Sequence, residues 1–162
     1  MLRYGVGEGS VGISNFAFRG DTTLKRTSLA HLICVDPRRV REVWPHVAPL
    51  LKTACLRTGL NALDDIKADI LSGRSLLWLA WNGHVIEAAA ATVLINSEIG
   101  KICVITVCGG SGMRRWLPLL DQVEAYAGRE GCTRVRIYGR KGWLRVLDGY
   151  VEKHIIMDKE LG

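Results

Sequence analysis

Ile102-Cys103-Val104-Ile105-Thr106-Val107-Cys108-Gly109-Gly110-Ser111-Gly112-Met113 begins as a β-branched apolar run and dissolves into glycines. Trp116, Leu119, Leu120, Val123, Tyr126 and Ala127 then recur at helical spacing up to Gly131. The stretch therefore predicts a strand, a glycine turn and a helix in direct succession. Pro118 fits only if the helix begins near Arg114 or Arg115, so that the proline falls in its first turn. Successive backbone N–H groups at a helix start form an anion site, and glycines let a ligand approach the chain. Arg114 and Arg115 add positive charge there. A glycine turn holding no ligand satisfies the same pattern.

Upstream, Asn82-Gly83 separates Leu76–Trp81 from His84–Ile95, which predicts two antiparallel strands joined by a type I′ turn. Leu32–Val35 reads as a strand running into a helix capped by Asp36, with Pro37 at its first position. Val40, Val43, Val47, Leu51 and Cys55 continue that helix, which Pro45 and Pro49 should kink or divide. A second helix is expected from Asn61 to Leu71. Downstream, Cys132–Tyr138 alternates as a strand, Gly142–Leu147 suits a short helix, and His154–Met157 a closing strand. Residues 1–29, with glycines at 5, 7, 9, 12 and 20, predict an irregular arm, and 30–162 one domain.

With 162 residues and 48% hydrophobic content, the chain can bury one core. It shows neither a long apolar span nor a signal-peptide pattern, which predicts a cytoplasmic protein with no membrane partner. The five cysteines lack any C-x-x-C pair or nearby histidine, so no metal is expected and reduced thiols are. A net charge of +6 suits an anionic ligand, but the basic groups are short and dispersed, and nucleic acid is disfavoured for want of interleaved aromatics. Five tryptophans and the N-terminal arm point to an interface with a second copy.

The element order, a three-stranded meander before a strand–glycine turn–helix, resembles the GNAT (GCN5-related N-acetyltransferase) superfamily over roughly residues 32–161. Together with Trp116-Leu117, Glu130-Gly131-Cys132 and Arg136-Ile137-Tyr138-Gly139-Arg140-Lys141-Gly142-Trp143, it is similar to small GNAT-like proteins of tailed bacteriophages and prophages. The resemblance implies an α/β (α+β) fold with a mixed, largely antiparallel central sheet flanked by helices. It also implies that Ile105, Thr106 and Val107 pair with the pantetheine arm of acetyl-CoA. Cys108, Gly109, Gly110, Ser111, Gly112, Met113 and Arg114 would then wrap the pyrophosphate. Cys108 stands near the position where the family pattern has Gln or Arg.

Acyl transfer to an amine, from a small molecule or a protein, needs a base, an oxyanion donor and an acid for the departing thiolate. A backbone N–H near Thr106 or Val107 suits the donor. Glu98, Glu87 and His84 are candidates for the base, each also readable as an ordinary solvated group. The family's usual tyrosine acid falls near Trp143, which cannot supply a proton, and Tyr138 and Tyr150 flank that place. The competing reading keeps the fold, and CoA, without turnover.

Overall fold

The computed structural model describes residues 30–162; the expected arm at 1–29 lies outside the described residues. Five strands form one sheet in the order β1-β2-β3-β4-β5: β1 is His31–Cys34, β2 Ser75–Trp81, β3 Ile86–Ser97, β4 Gly100–Gly110 and β5 Arg134–Ile137. The first four pair antiparallel, and β5 joins β4 in parallel. The mixed, largely antiparallel sheet flanked by helices is therefore present.

Side chains alternate across a strand, and that period divides the core into two layers. Leu77, Leu79, Ala89, Ala91 and Val107 meet helix α1 (Val40–Thr58) and α2 (Leu63–Leu71) through Val43, Val47, Leu51, Ile66 and Ile70. On the opposite face Trp78 and Ile105 meet Val123 of α4 (Leu120–Arg129), while Ala80 and Ala88 meet Trp116 of the single-turn α3 (Met113–Trp116). Burial on both faces explains why β3 reads as a continuous apolar run. Inside the sheet, the Trp78 indole N–H donates to Thr92 Oγ1 at 2.8 Å, pairing the two polar groups.

Several local expectations need correction. Pro45 and Pro49 do not divide α1, which runs unbroken past both. They lie four residues apart on its exposed side, where water can serve the carbonyls that lose a donor. Asp36 caps a 3-10 turn (Pro37–Arg39) rather than α1 itself, its carboxylate accepting from Arg38 N–H at 2.9 Å. Pro118 also acts, since the expected single helix becomes α3, a 3-10 turn (Leu117–Leu119) and α4. Without the proline N–H the chain tightens at that point.

The β2–β3 connection is not a type I′ turn. Only Gly83 has positive φ, and Asn82 instead accepts from His84 and Val85 N–H through its Oδ1, both at 3.0 Å, in a longer loop. The second helix starts at Leu63 rather than Asn61. The expected short helix at 142–147 is a 3-10 turn, Lys141–Arg145, and the expected strand His154–Met157 is exposed and irregular. Its apolar residues carry β propensity, but no described strand pairs with them.

Candidate functional site

Strand β4 and strand β5 part company halfway along β4. Their pairing covers Ile102–Ile105 against Arg134–Ile137, and the last bond is Tyr138 N–H to Ile105 C=O at 3.0 Å. From Thr106 to Gly110, β4 stays paired with β3 alone among the described residues. A bulge at the parting, where Ala91 opposes Val107 and Thr92 opposes Ile105, leaves Thr106 as the extra residue. The Thr106 carbonyl accepts a 2.9 Å bond from the Asn61 side-chain amide, reaching over from the loop between α1 and α2.

Two of the three glycines expected in a turn fall within the strand instead. Gly109 and Gly110 belong to β4, opposite Ala89 and Ala88. A Cβ at Gly109 would lie 2.2 Å from the Leu50 carbonyl oxygen, so this glycine admits α1 to the sheet. At Gly110 a Cβ would lie 2.5 Å from the Ala88 Cβ and from the Glu87 carbonyl oxygen. Only Ser111 and Gly112, the latter at φ 64°, remain as the connection to α3. Ser111 N–H bonds to the Glu87 carbonyl, whereas Gly112, Met113 and Arg114 are exposed at the helix start, with Arg114 turned to solvent.

Glu87, absent from the strongest sequence signals, sits beneath this connection. Its side chain is 2% exposed and pairs with Arg115 at 3.1 Å, while Asn82 Nδ2 donates to the same oxygen at 2.6 Å. The second oxygen, Oε2, is buried with no partner among the described residues. Arg115 is thus committed to Glu87, and Arg114 is the cation left facing outward.

The remaining candidates scatter. Glu98 is exposed in the β3–β4 turn, at the far end of an 11-residue strand from Gly110, roughly 30 Å away at 3.3 Å per residue. His84 is exposed in the β2–β3 loop. Tyr138 stands at the parting of the strands and is 38% exposed. Tyr150 instead donates its hydroxyl to Glu124 of α4 at 2.8 Å. Burial first, and then the Glu124 carboxylate, push its phenol well above the ordinary range. Burial likewise pushes the Cys108 thiol up to about 12, which leaves it un-ionised and a poor nucleophile near neutrality. Of the remaining cysteines, Cys55 and Cys103 are buried and Cys34 is exposed.

Two hollows adjoin the parting. An apolar cavity of about 50 Å³ lies between the sheet and α3–α4, walled by Trp78, Ile105, Cys108 and Trp116. A wider groove of about 460 Å³ runs along β5, past the end of α1 and the C-terminal segment. Ile137 and Trp143 line both. Trp143, near which the resemblance would place a tyrosine, packs against Trp116 with ring centroids 6.1 Å apart. Asn61 and Arg57 carried no functional expectation from the sequence, and the β5 arginines only that of a short group within a dispersed basic surface. The alternation Arg134-Val135-Arg136-Ile137 was the available signal that β5 has one charged face.

A sheet whose fourth and fifth strands diverge beyond a bulge, followed by a helix, defines the GNAT fold, and solved structures agree. A GNAT family acetyltransferase from Staphylococcus aureus superposes with a TM-score of 0.58 at 13% identity, covering 82% of this chain and 99% of that one. A predicted acetyltransferase from Clostridium acetobutylicum, solved with acetyl-CoA, gives 0.56 at 13% identity over 82% and 96%. An aminoglycoside acetyltransferase from an uncultured soil metagenomic sample, in complex with sisomicin, gives 0.61 at 7% identity over 82% and 96%. No protein-family model and no curated protein matches the chain. Among the described residues there is no cluster of metal ligands and no helix long and apolar enough to cross a membrane.

Proposed function

We propose that the chain binds a CoA thioester, acetyl-CoA in the simplest case, along the edge of β4 left open from Thr106 to Gly110, and passes its acyl group to an amine. The parting of β4 from β5 after Ile105 carries this reading. A strand edge with unpaired backbone groups suits the amide-bearing arm of such a ligand. The outward backbone of Gly112, Met113 and Arg114, together with the Arg114 guanidinium, offers the nearest partner for its phosphates. Buried Glu87 works against an anion there, so Arg115 serves to neutralise that carboxylate rather than the ligand. In the transfer, the amine nitrogen bonds to the thioester carbon and gives up a proton to water, the C–S bond breaks and the thiolate takes a proton. Tyr138, at the parting, is the best-placed phenol for that proton.

A second reading, a CoA-binding protein without turnover, is favoured by one observation. Tyr150 is turned to Glu124 and Glu98 lies a strand length away, so neither reaches the open edge. Thermal melting separates binding from its absence. Acetyl-CoA at about 100 times its dissociation constant should stabilise the fold by about 2.7 kcal/mol, a rise of about 5–10 °C for a chain of this size. Arg114→Glu, an exposed change, should remove most of the rise and leave the ligand-free melt unchanged. A flat response to acetyl-CoA in the wild-type chain would reject both readings. Release of free CoA thiol over an amine panel then distinguishes transferase from binder.

Tyr150 makes a separate expectation about pH. Its raised folded-state value means that its contribution to stability is complete below the ordinary phenol value, near pH 10, and fades as the pH climbs through the higher one. Tyr150→Phe should therefore cost about 1.5 kcal/mol, the scale of a hydrogen bond to a charged acceptor. Urea unfolding should show that gap constant from neutrality to about pH 9, and narrowing only under stronger alkali. An equal stability of the two proteins at neutrality would remove the hydrogen bond from the account.

A further inference from the structure

The groove beside β5 gathers Arg57, Arg134, Arg136, Arg140, Lys141 and Lys153 against only two carboxylates, Glu152 and Asp158. Glu152 is already paired with Lys141 at 3.5 Å. Among the described residues Arg57, Arg134, Arg136, Arg140 and Lys153 have no carboxylate partner. Most of the chain's net charge of +6 is thus concentrated on one concave surface. Like charges held together without partners repel, so the arrangement gains when an anion neutralises it.

Strand periodicity orders the groove. Arg134, Arg136 and Tyr138 share one side of β5, while Val135 and Ile137 turn to the opposite side and pack in the layer with Trp78, Ile105 and Val123. β5 is the last strand of the sheet, with no described strand on its outer side. The groove's neutral lining is mainly aliphatic, including Leu60, Leu144, Leu147, Val151 and Ile156, of which Val151 and Ile156 are 65% and 61% exposed. Nucleic acid would call for aromatic stacking faces, and of the three aromatics lining the groove, Trp143 is engaged with Trp116 and the Tyr150 hydroxyl with Glu124. Cations and aliphatic surface side by side along an open strand edge suit an extended peptide that carries acidic and aliphatic side chains.

We propose that this groove is a docking site for an acidic segment of a partner protein, laid extended along the outer edge of β5 with its carboxylates on Arg134, Arg136, Arg140 and Arg57. The chain's own first 29 residues are poorly suited to the place, because Arg3, Arg19, Lys25 and Arg26 outnumber Glu8 and Asp21. The groove adjoins the parting of the strands at Tyr138, but its cations stand on β5, the end of α1 and the C-terminal segment rather than on β4, and the docking does not depend on CoA binding. Arginine recognises carboxylates through paired N–H donors, so the contact carries geometry as well as charge.

Fluorescence anisotropy tests this on the full chain with a short labelled peptide alternating Glu and Val, its Lys–Val counterpart, and a labelled oligothymidylate. The acidic peptide is expected to bind and the basic one not. Binding should weaken as salt rises from about 50 to 200 mM. The double variant Arg134→Ala/Arg136→Ala should bind at least about tenfold more weakly, and Arg140→Ala/Lys153→Ala, which alters no strand, should weaken binding in the same direction. Arg41→Ala/Lys52→Ala, an equal loss of charge on the exposed side of α1, should bind as the wild type does. Failure of the acidic peptide to bind, an equal loss in all three double variants, or tighter binding of the oligonucleotide would each overturn the proposal.

Discussion

Gly109→Ala should destabilise the protein by about 3 kcal/mol, at the upper end of the cost of overpacking, and lower its melting temperature by roughly 6–12 °C. Two effects oppose one another. Alanine restricts the unfolded chain more than glycine, which by itself would stabilise by about 0.5–1 kcal/mol, and the backbone at Gly109 is not in the left-handed region. Against this, the new Cβ would fall 2.2 Å from the Leu50 oxygen and 2.9 Å from the Leu50 carbonyl carbon. These are backbone atoms of α1, with no rotamer to move aside, so the helix itself must shift and loosen the layer built on Val47 and Leu51. Gly128→Ala on α4, where a Cβ meets nothing within 4 Å among the described residues, isolates the favourable effect. It should gain about 0.5–1 kcal/mol. If both variants melt alike, the close seat of α1 on β4 is wrong.

The second large effect concerns the buried carboxylate. Arg115→Met should cost about 3 kcal/mol, because removing one partner strands a charge that is 2% exposed. Only the Asn82 amide would remain on its bonded oxygen, and the other oxygen already has no partner among the described residues. Neutralising the survivor should repair the damage, so Glu87→Gln in the Arg115→Met background should recover most of the loss. Denaturant midpoints of the two single variants and the double decide the matter. Simple additivity of the losses would mean that the two side chains do not act as a pair.

The same residues explain what could be read from the chain beforehand. Element order was legible because the period changes clearly, from the helical stripe Val40–Val43–Val47–Leu51 to the alternation of β2 and back at Val123. The glycine run reads as a turn after the strand, whereas Gly109 and Gly110 lie inside β4, close against α1 and β3. A loop glycine and a glycine under a helix look identical in sequence, and only the position of Leu50, some 60 places earlier, tells them apart. Pro45 and Pro49 misled for a similar reason, since the cost of a proline in a helix depends on whether the freed carbonyl faces water. His154–Met157 has the composition of a strand, yet a strand requires an edge to join, which composition does not report. Glu87 was weighed as a base because a lone carboxylate in an apolar run attracts attention. Its partner Arg115 stands in a separate element, so the pairing emerges only when β3 and α3 meet.

The bond from Asn61 to the Thr106 carbonyl gives the loop between α1 and α2 a stake in whatever occupies the open strand edge. A ligand amide taking this carbonyl as its acceptor can share the oxygen, which has two lone pairs, or displace the Asn61 amide from it. The exchange of one hydrogen bond for another is nearly neutral in energy, but it unfastens the short connection around Gly59 and Leu60. Occupancy of the edge would then be readable at a distance, as faster amide exchange in that loop and a shifted side-chain resonance of Asn61. On displacement the residue would act as a latch whose release marks arrival of a ligand.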